Sequence, residues 1–510
     1  MTKTTPNHHP DIIIIGSGLG GLACGHILAS EGYHVLILER ESQPGGCMQS
    51  YRRNNLDFDT GLHYVGGLDK GPVYQSFRML GLMQLPWVRM DENCFDRIHI
   101  NGESYDFAQG YDNFVDTLAK RFPEERKALN DYISMLDGYS KQQLDLLRSS
   151  QACDLQTIYT TYGSSLSTSA WQWLNSHFHD STLINVLSGN ASRIELSKDT
   201  LPLYTLAHIN SSYIASSWRL RGPGNLLVNK LLDGIRQHGG EVICNAEVEH
   251  LVEEDGHIVA AVCTNGERYE ADRFISDIHP KLTIDLISES KVVKKSMRYR
   301  LDMMENTYGM LTVSLVIKPH TLPYVNHNEH IYARPNLWEH FEKDHPVSGV
   351  MVSYRVPEGH DTYVRQIDLL TPVDWAECKP WETTSLGHRQ TNNNNNQDYN
   401  HWKTRKAEQC IDLAATVVPN LKEAIETQYI STPLTYRDYT HTPCGSAFGL
   451  RKDCANPLLT FLSPRTPEPN LLLTGQSLMV HGVEGVTMTA LITCAEIIGR
   501  QRMWEKLMEA

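Results

Sequence analysis

The stretch from Asp11 to Gly46 leaves this chain few folds to choose from. It runs through four isoleucines, Ile12 to Ile15, then Gly16-Ser17-Gly18-Leu19-Gly20-Gly21, a helical run, and Val35-Leu36-Ile37-Leu38-Glu39-Arg40. A strand of isoleucines alone suits a parallel sheet buried on both faces. The spacing G-x-G-x-x-G puts Gly16 at a tight turn, Gly18 where backbone must approach a diphosphate, and Gly21 where helix and strand come close. The unpaired N–H groups and positive dipole end of the helix then face the phosphates. Glu39 ends the second apolar run 18 residues past Gly21, where a carboxylate can accept both ribose hydroxyls of an adenosine.

A second glycine pair, Gly45-Gly46, follows Glu39 and Arg40 closely. An NAD domain has no need of it. An extended flavin dinucleotide needs small residues where the chain passes the diphosphate and ribityl chain again, so FAD is the expected cofactor. Its expected contacts here are Gly16, Ser17, Gly18, Gly20, Gly21, Glu39, Arg40, Gly45 and Gly46.

Bulk properties exclude several classes. The net charge of −14 gives nucleic-acid binding no electrostatic support. No run of about 18 apolar residues is present, so no segment is expected to span a bilayer. The polar start, Met1 to Pro10, passes directly into the first core strand, which leaves no room for a signal peptide. Eleven scattered cysteines without C-x-x-C read as mostly reduced thiols in a cytoplasmic protein. The 23 histidines show no ligand spacing, and no metal is assigned.

Further on, Leu56-Asp57-Phe58-Asp59-Thr60-Gly61-Leu62-His63-Tyr64 follows the second glycine pair, and Asn470-Leu-Leu-Leu-Thr474-Gly475-Gln476 precedes Gly482, Gly485 and a final helix. With these blocks the chain resembles the FAD-dependent flavoproteins that include phytoene desaturases, carotenoid isomerases and all-trans-retinol 13,14-reductases (retinol saturases). The resemblance covers both ends and the 220s to 280s. It departs at Arg221-Gly222-Pro223-Gly224, where the family usually carries a Gly-Gly-Ser-like turn. It implies an α/β fold: a discontinuous, Rossmann-like FAD-binding domain with an α+β substrate domain, as in the amine oxidase and phytoene desaturase superfamily. The FAD-binding parts are expected at 1–110, 221–285 and 441–510. A mainly helical part of the substrate domain is expected at 111–220, and the rest at 286–440. By the same resemblance Gly61, Val248, Gly475, Gln476, Gly485 and Val486 join the cofactor contacts, with Val248 at the adenine. The helix opened near Gly485 would place its dipole by the flavin.

Between the blocks, Asn101-Gly102 reads as a hairpin turn. Met310 to Ile317 reads as a strand. Helices fill the region from Tyr111 to about Ala191. There Trp171, Trp173, Leu174 and Phe178 read first as a core stripe and second as a pocket wall. Thr391 to Gln397 is a low-complexity polar run, expected as a mobile loop.

No nucleophile motif occurs, so the flavin is left as the strong reagent. His63, Tyr64, His481 and Glu484 are the candidate proton donors; His63, Tyr64 and Glu484 are carried as catalytic candidates. The expected reaction is on carbon–carbon double bonds of an apolar polyene, as saturase, desaturase or isomerase. NAD(P)H is a candidate electron source, and peripheral membrane contact is expected because polyenes partition into bilayers. Two other readings share the N-terminal pattern: an amine-oxidase-like flavoenzyme, and a non-catalytic prenyl-binding scaffold of the GDP-dissociation-inhibitor type.

Overall fold

The computed structural model describes residues 9–148, 154–190, 192–339, 345–389 and 394–509. A five-stranded parallel sheet consists of β1 (Ile12–Ile15), β2 (Val35–Leu38), β3 (Glu241–Ile243), β4 (Arg273–Ser276) and β5 (Leu471–Leu473). Their spatial order is β3-β2-β1-β4-β5. All residues of β1 and β2 are buried, as their continuous apolar sequence demands. α1 (Leu19–Ser30) is apolar nearly all round, and so it is covered on several sides. It packs on β2, on α2 (Asn225–Gln237) and on α3 (Gly482–Ile498). The chain supplies the strands of this sheet from three separated stretches.

A second, seven-stranded sheet carries the other core. Its order is Ile425–Ser431, Gly309–Ile317, Gln366–Val373, Gly349–Tyr354, Asn328–Tyr332, Asp96–Ile100 and Glu103–Phe107. The strand expected at Met310 to Ile317 is entirely buried. The hairpin at Asn101-Gly102 forms as its turn residues indicate, pairing Asp96 with Phe107. Asp96–Ile100 runs parallel to Asn328–Tyr332. Residues 96–107 therefore extend the sheet of the 286–440 segment, although they precede the boundary drawn at residue 110.

Helices fill the described residues from Tyr111 to Leu187, and Leu203–Ala215 closes the region. Leu174 and Phe178 are buried in the core there. Trp171 lies 5.2 Å from Trp338 and Trp173 lies 3.9 Å from His177, ring to ring. None of these four lines the cavity described below. The loop expected over Thr391 to Gln397 is corrected at its C-terminal end: a helix begins at Asn394 and runs to Ala414. Tyr399, Trp402, Ala407 and Cys410 of that helix are buried in the core of the second sheet. Tertiary packing of these residues carries the helix back through weak formers. Residues 391–393 lie outside the described residues.

Candidate active site

A cavity of about 580 Å³ opens at the carboxyl ends of the parallel strands. That is where ligands enter such sheets, at the point where strand order reverses on either side of β1. β1 delivers Gly16, β2 delivers Glu39, β4 delivers Asp277 and β5 leads to Gly475; all four line the cavity. Glu39 is buried. Its Oε2 accepts the Ser17 N–H at 3.0 Å and the Ser17 hydroxyl, and its Oε1 accepts the Glu41 N–H at 2.8 Å. The carboxylate is thereby fixed at the mouth of the glycine turn.

Asp277 is set among glycines from two loops. A Cβ at Gly18 would stand 2.6 Å from its Oδ2, one at Gly475 would stand 2.8 Å from its Oδ1, and one at Gly20 would collide with Oδ1. Burial pushes the Asp277 carboxyl up to about 7, and the Glu39 charge adds to this; the N–H groups of Gly21 and Gly18 pull the other way.

The second glycine pair does two jobs. Gly46 lines the cavity, and a Cβ there would press on Gly18 Cα at 3.1 Å. Gly45, with φ +122°, donates its N–H to the Ser17 carbonyl at 3.0 Å and stands behind the wall. The Phe58 to Tyr64 block is nailed down through Asp59. Asp59 Oδ1 accepts the Ser50 hydroxyl at 2.6 Å and the Gly224 N–H at 2.7 Å, and its Oδ2 pairs with Arg355. Arg355 also reaches Asp368 at 3.0 Å. This network explains the Gly222-Pro223-Gly224 turn: a Cβ at Gly224 would stand 2.7 Å from the Met48 carbonyl.

Gly61, Leu62, His63, Tyr64, Val65 and Gly66 then form one wall of the inner chamber. His63 is nearly buried, with Nδ1 3.8 Å from Asp368 Oδ2, and burial holds its pKa below the usual value. Tyr64 donates its hydroxyl to Asp96 Oδ2 at 2.9 Å, and burial pushes it well above the usual phenol range. The same Asp96 accepts from Arg193 at 3.1 Å and from Asn328 at 2.8 Å. The Tyr64 hydroxyl is thus spent on a buried ion pair, and its ring is what faces the chamber.

A further part of the wall is the start of α3. Gly482, Val483, Glu484 and Val486 line the chamber. Gly485 does not: a Cβ there would strike the Val480 carbonyl, so this glycine serves the turn into the helix. His481 donates its Nε2–H to the Arg193 carbonyl, 2.8 Å away, stacks on Phe448 at 4.2 Å, and is lowered to about 4 by burial. Glu484 is buried, and burial raises it to about 7 against hydrogen bonds with Ser212 and Gln143. Its Oε2 has no hydrogen-bond partner.

Among the sequence candidates, Gly16, Ser17, Gly18, Gly20, Glu39, Arg40, Gly46, Gly61, Val248, Gly475, Gln476 and Val486 line this one cavity, with His63, Tyr64 and Glu484 at its inner end. Gly21, Gly45 and Gly485 support it from behind. Sequence reasoning missed Asp277, Tyr213, Met310, Met351, Tyr436 and Phe448, which also line it. For Asp277 a signal existed: it is the first residue past a strand adjoining β1.

Residues 14–80 match the NAD(P)-binding Rossmann-like domain family. The all-trans-retinol 13,14-reductase of Macaca fascicularis is 23% identical over 96% of this chain and 86% of its own length. That of Danio rerio is 24% identical over 96% of this chain and 86% of its own length. Prolycopene isomerase 2 of an Oncidium hybrid cultivar is 22% identical over 97% of this chain and 85% of its own. Over nearly its whole length the chain is thus similar to retinol reductases and prolycopene isomerases. The architecture is the Rossmann-like α/β one that the sequence led one to expect. Solved structures share that fold. An oxidoreductase from Methanosarcina mazei superimposes with a TM-score of 0.63 at 15% identity, over 94% of this chain and 98% of that one. Cyclohexylamine oxidase from Brevibacterium oxydans does so with 0.61 at 11% identity, over 98% and 100%.

The residues of this cavity fit a bound FAD. Gly16, Gly18 and Gly20 of the first turn and Gly46 of the second face one groove, the Glu39 carboxylate lines it, and a Cβ at Gly18, Gly20 or Gly46 would crowd its wall.

Proposed function

We propose that this protein transfers a hydride or electrons between FAD and carbon–carbon double bonds of an apolar polyene of the retinoid or carotenoid kind. One observation carries the proposal: the dinucleotide groove runs without a break into an inner chamber walled by Val65, Ile209, Met310, Met351, Leu370 and Phe448. A polyene needs such a wall, because apolar surface is what it has to offer. When bound, FAD supplies the two-electron chemistry. Glu39, with Ser17, holds the adenosine ribose, and Val248 meets the adenine. The α3 N-terminus faces the flavin and favours negative charge there. Glu484 stores a proton beside the chamber. His63, kept neutral, lines the same chamber, and Tyr64 positions Arg193 through Asp96. NAD(P)H serves as electron source if the reaction runs toward saturation.

The test is anaerobic photoreduction of the holoprotein followed by challenge with retinol, a carotene, a quinone and an amine. Reoxidation by a polyene, or desaturation or isomerisation of one by the oxidised form, is the expected result. Turnover of the amine alone would move the amine-oxidase-like reading ahead.

Peripheral membrane contact belongs to the same proposal. No described helix is long and apolar enough to cross a membrane. Four exposed apolar residues gather in one place: Tyr299 and Met303 on the helix Lys295–Met303, and Leu458 and Leu459 on the turn Pro457–Thr460. Arg300 joins the two segments by donating to the Leu458 carbonyl at 2.9 Å and the Leu459 carbonyl at 2.8 Å. Lys294 and Lys295 are exposed beside them, against a chain of net charge −14. Apolar side chains rimmed by lysines suit an anionic bilayer surface. The protein should sediment with vesicles containing anionic lipid, and replacing Tyr299, Met303, Leu458 and Leu459 together by Ser should abolish this. Undiminished sedimentation of that variant would place the contact elsewhere.

A further inference from the structure

The groove that must take the diphosphate already holds an anion of the protein's own. Asp277 stands at the end of β4, with its carboxylate against Gly18 and Gly20 of the first glycine turn and Gly475 of the C-terminal loop. The N–H groups of Gly18 and Gly21 act on it, and these belong to the helix start that a diphosphate uses. The other titratable groups in electrostatic reach are the Glu39 carboxylate, at the end of β2, and the Cys47 thiol, in the turn that carries Gly46. Neither is a cation. Glycines Gly18, Gly20 and Gly475 supply no side chain, so among the described residues nothing neutralises this carboxylate except backbone amides.

An ionised Asp277 can only repel a diphosphate placed beside it. A protonated Asp277 is neutral and has an O–H to give to a phosphate oxygen. We propose that Asp277 couples FAD capture to protonation: the dinucleotide binds to the form of the protein in which this carboxyl is neutral, and one proton is taken up from solvent as it enters. The proposal rests on the FAD-dependent reading above and adds a residue to the cofactor site.

The sign follows from linkage. The Asp277 carboxyl of the unliganded protein is held at about 7, chiefly by burial. Two phosphate charges close by raise it further. Below about 7 the group is neutral in both states, and affinity is independent of pH. Above that, the free protein is ionised while the complex is not, so affinity falls as pH rises, approaching ~10-fold per unit.

The measurement is FAD titration of the apoprotein, read by quenching of flavin fluorescence from pH 6 to pH 9. It is paired with calorimetry at pH 8 in two buffers of different ionisation enthalpy. Wild type should weaken about 10-fold for each unit above 7 and should take up close to one proton. Asp277→Asn keeps a donor and loses the charge. It should bind at pH 9 as tightly as wild type binds at pH 6, with no proton uptake. A flat wild-type profile with no uptake overturns the proposal whatever the variant does. So does an Asn variant that binds weakly at every pH, since Asp277 would then serve as an acceptor that orders the turn. Absence of FAD binding at any pH would instead count against the FAD reading itself, which separates the two failures.

Discussion

Glu484→Gln should slow polyene turnover by ~10²–10⁴ while the protein keeps its flavin colour, the usual range for loss of a positioned general acid. Four candidates from the sequence compete for proton donor, and their surroundings separate them. Tyr64 is pushed well above the phenol range by burial and is bonded to Asp96. His481 is held near 4 and His63 below its usual value, so both are uncharged at neutral pH and have no acidic proton at hand. Glu484 is raised to about 7 by burial and lines the chamber with one carboxyl oxygen lacking any hydrogen bond. An acid with its pKa near the working pH is the best matched for transfer. The turnover number should therefore decline as pH rises through about 7, and that limb should vanish in Glu484→Gln. If Glu484→Gln keeps wild-type turnover and His63→Ala does not, the proton route runs through His63. Tyr64→Phe should chiefly disturb binding, because it removes a donor from the Asp96–Arg193 pair.

Glu39→Ala should purify with little FAD. Two charged hydrogen bonds to ribose hydroxyls, at roughly 1.5–3 kcal/mol each, correspond to about 10²–10⁴ in affinity. The loss has a second source: Glu39 also fixes the Ser17 and Glu41 amides, so the turn itself loosens. The variant should fold, since Glu39 sits at the end of β2 and not within its apolar run. The ratio of flavin to protein absorbance after desalting checks this. Full occupancy would remove Glu39 from the cofactor site.

What was legible in the sequence follows from how far apart the cooperating residues lie. Gly16, Gly18, Gly21 and Glu39 belong to one strand–helix–strand unit, whose periodicity and end signals are local, and the placement of Gly16, Gly18 and Glu39 on the cavity, with Gly21 behind it, was readable. The inner chamber was not. Met310 and Met351 come from the second sheet, Tyr213 from a helix and Phe448 from a loop. Nothing in the immediate neighbourhood of any of these marks it as facing the others. Tyr64 stood in a block whose position was readable, but the bond that occupies its hydroxyl reaches Asp96 on another sheet. The asparagine run misled for a related reason. Its composition lacks apolar anchors, whereas the anchors that make it helical, Trp402 and its neighbours, lie further along the same helix.

The order in which the parallel sheet is assembled sets when this protein becomes functional during its synthesis. β1 and β2 emerge from the ribosome first, yet β4 has no neighbour on its outer side until β5 is made, and α1 lacks one of its covering helices until α3 follows. For most of translation the nascent chain thus carries an open strand edge and a bare apolar helix face, the surfaces on which chaperones act. Gly475 and the α3 start, which complete the cavity, follow β5 and so come after every other strand of the sheet. The groove for a dinucleotide is therefore complete only once that stretch has been made.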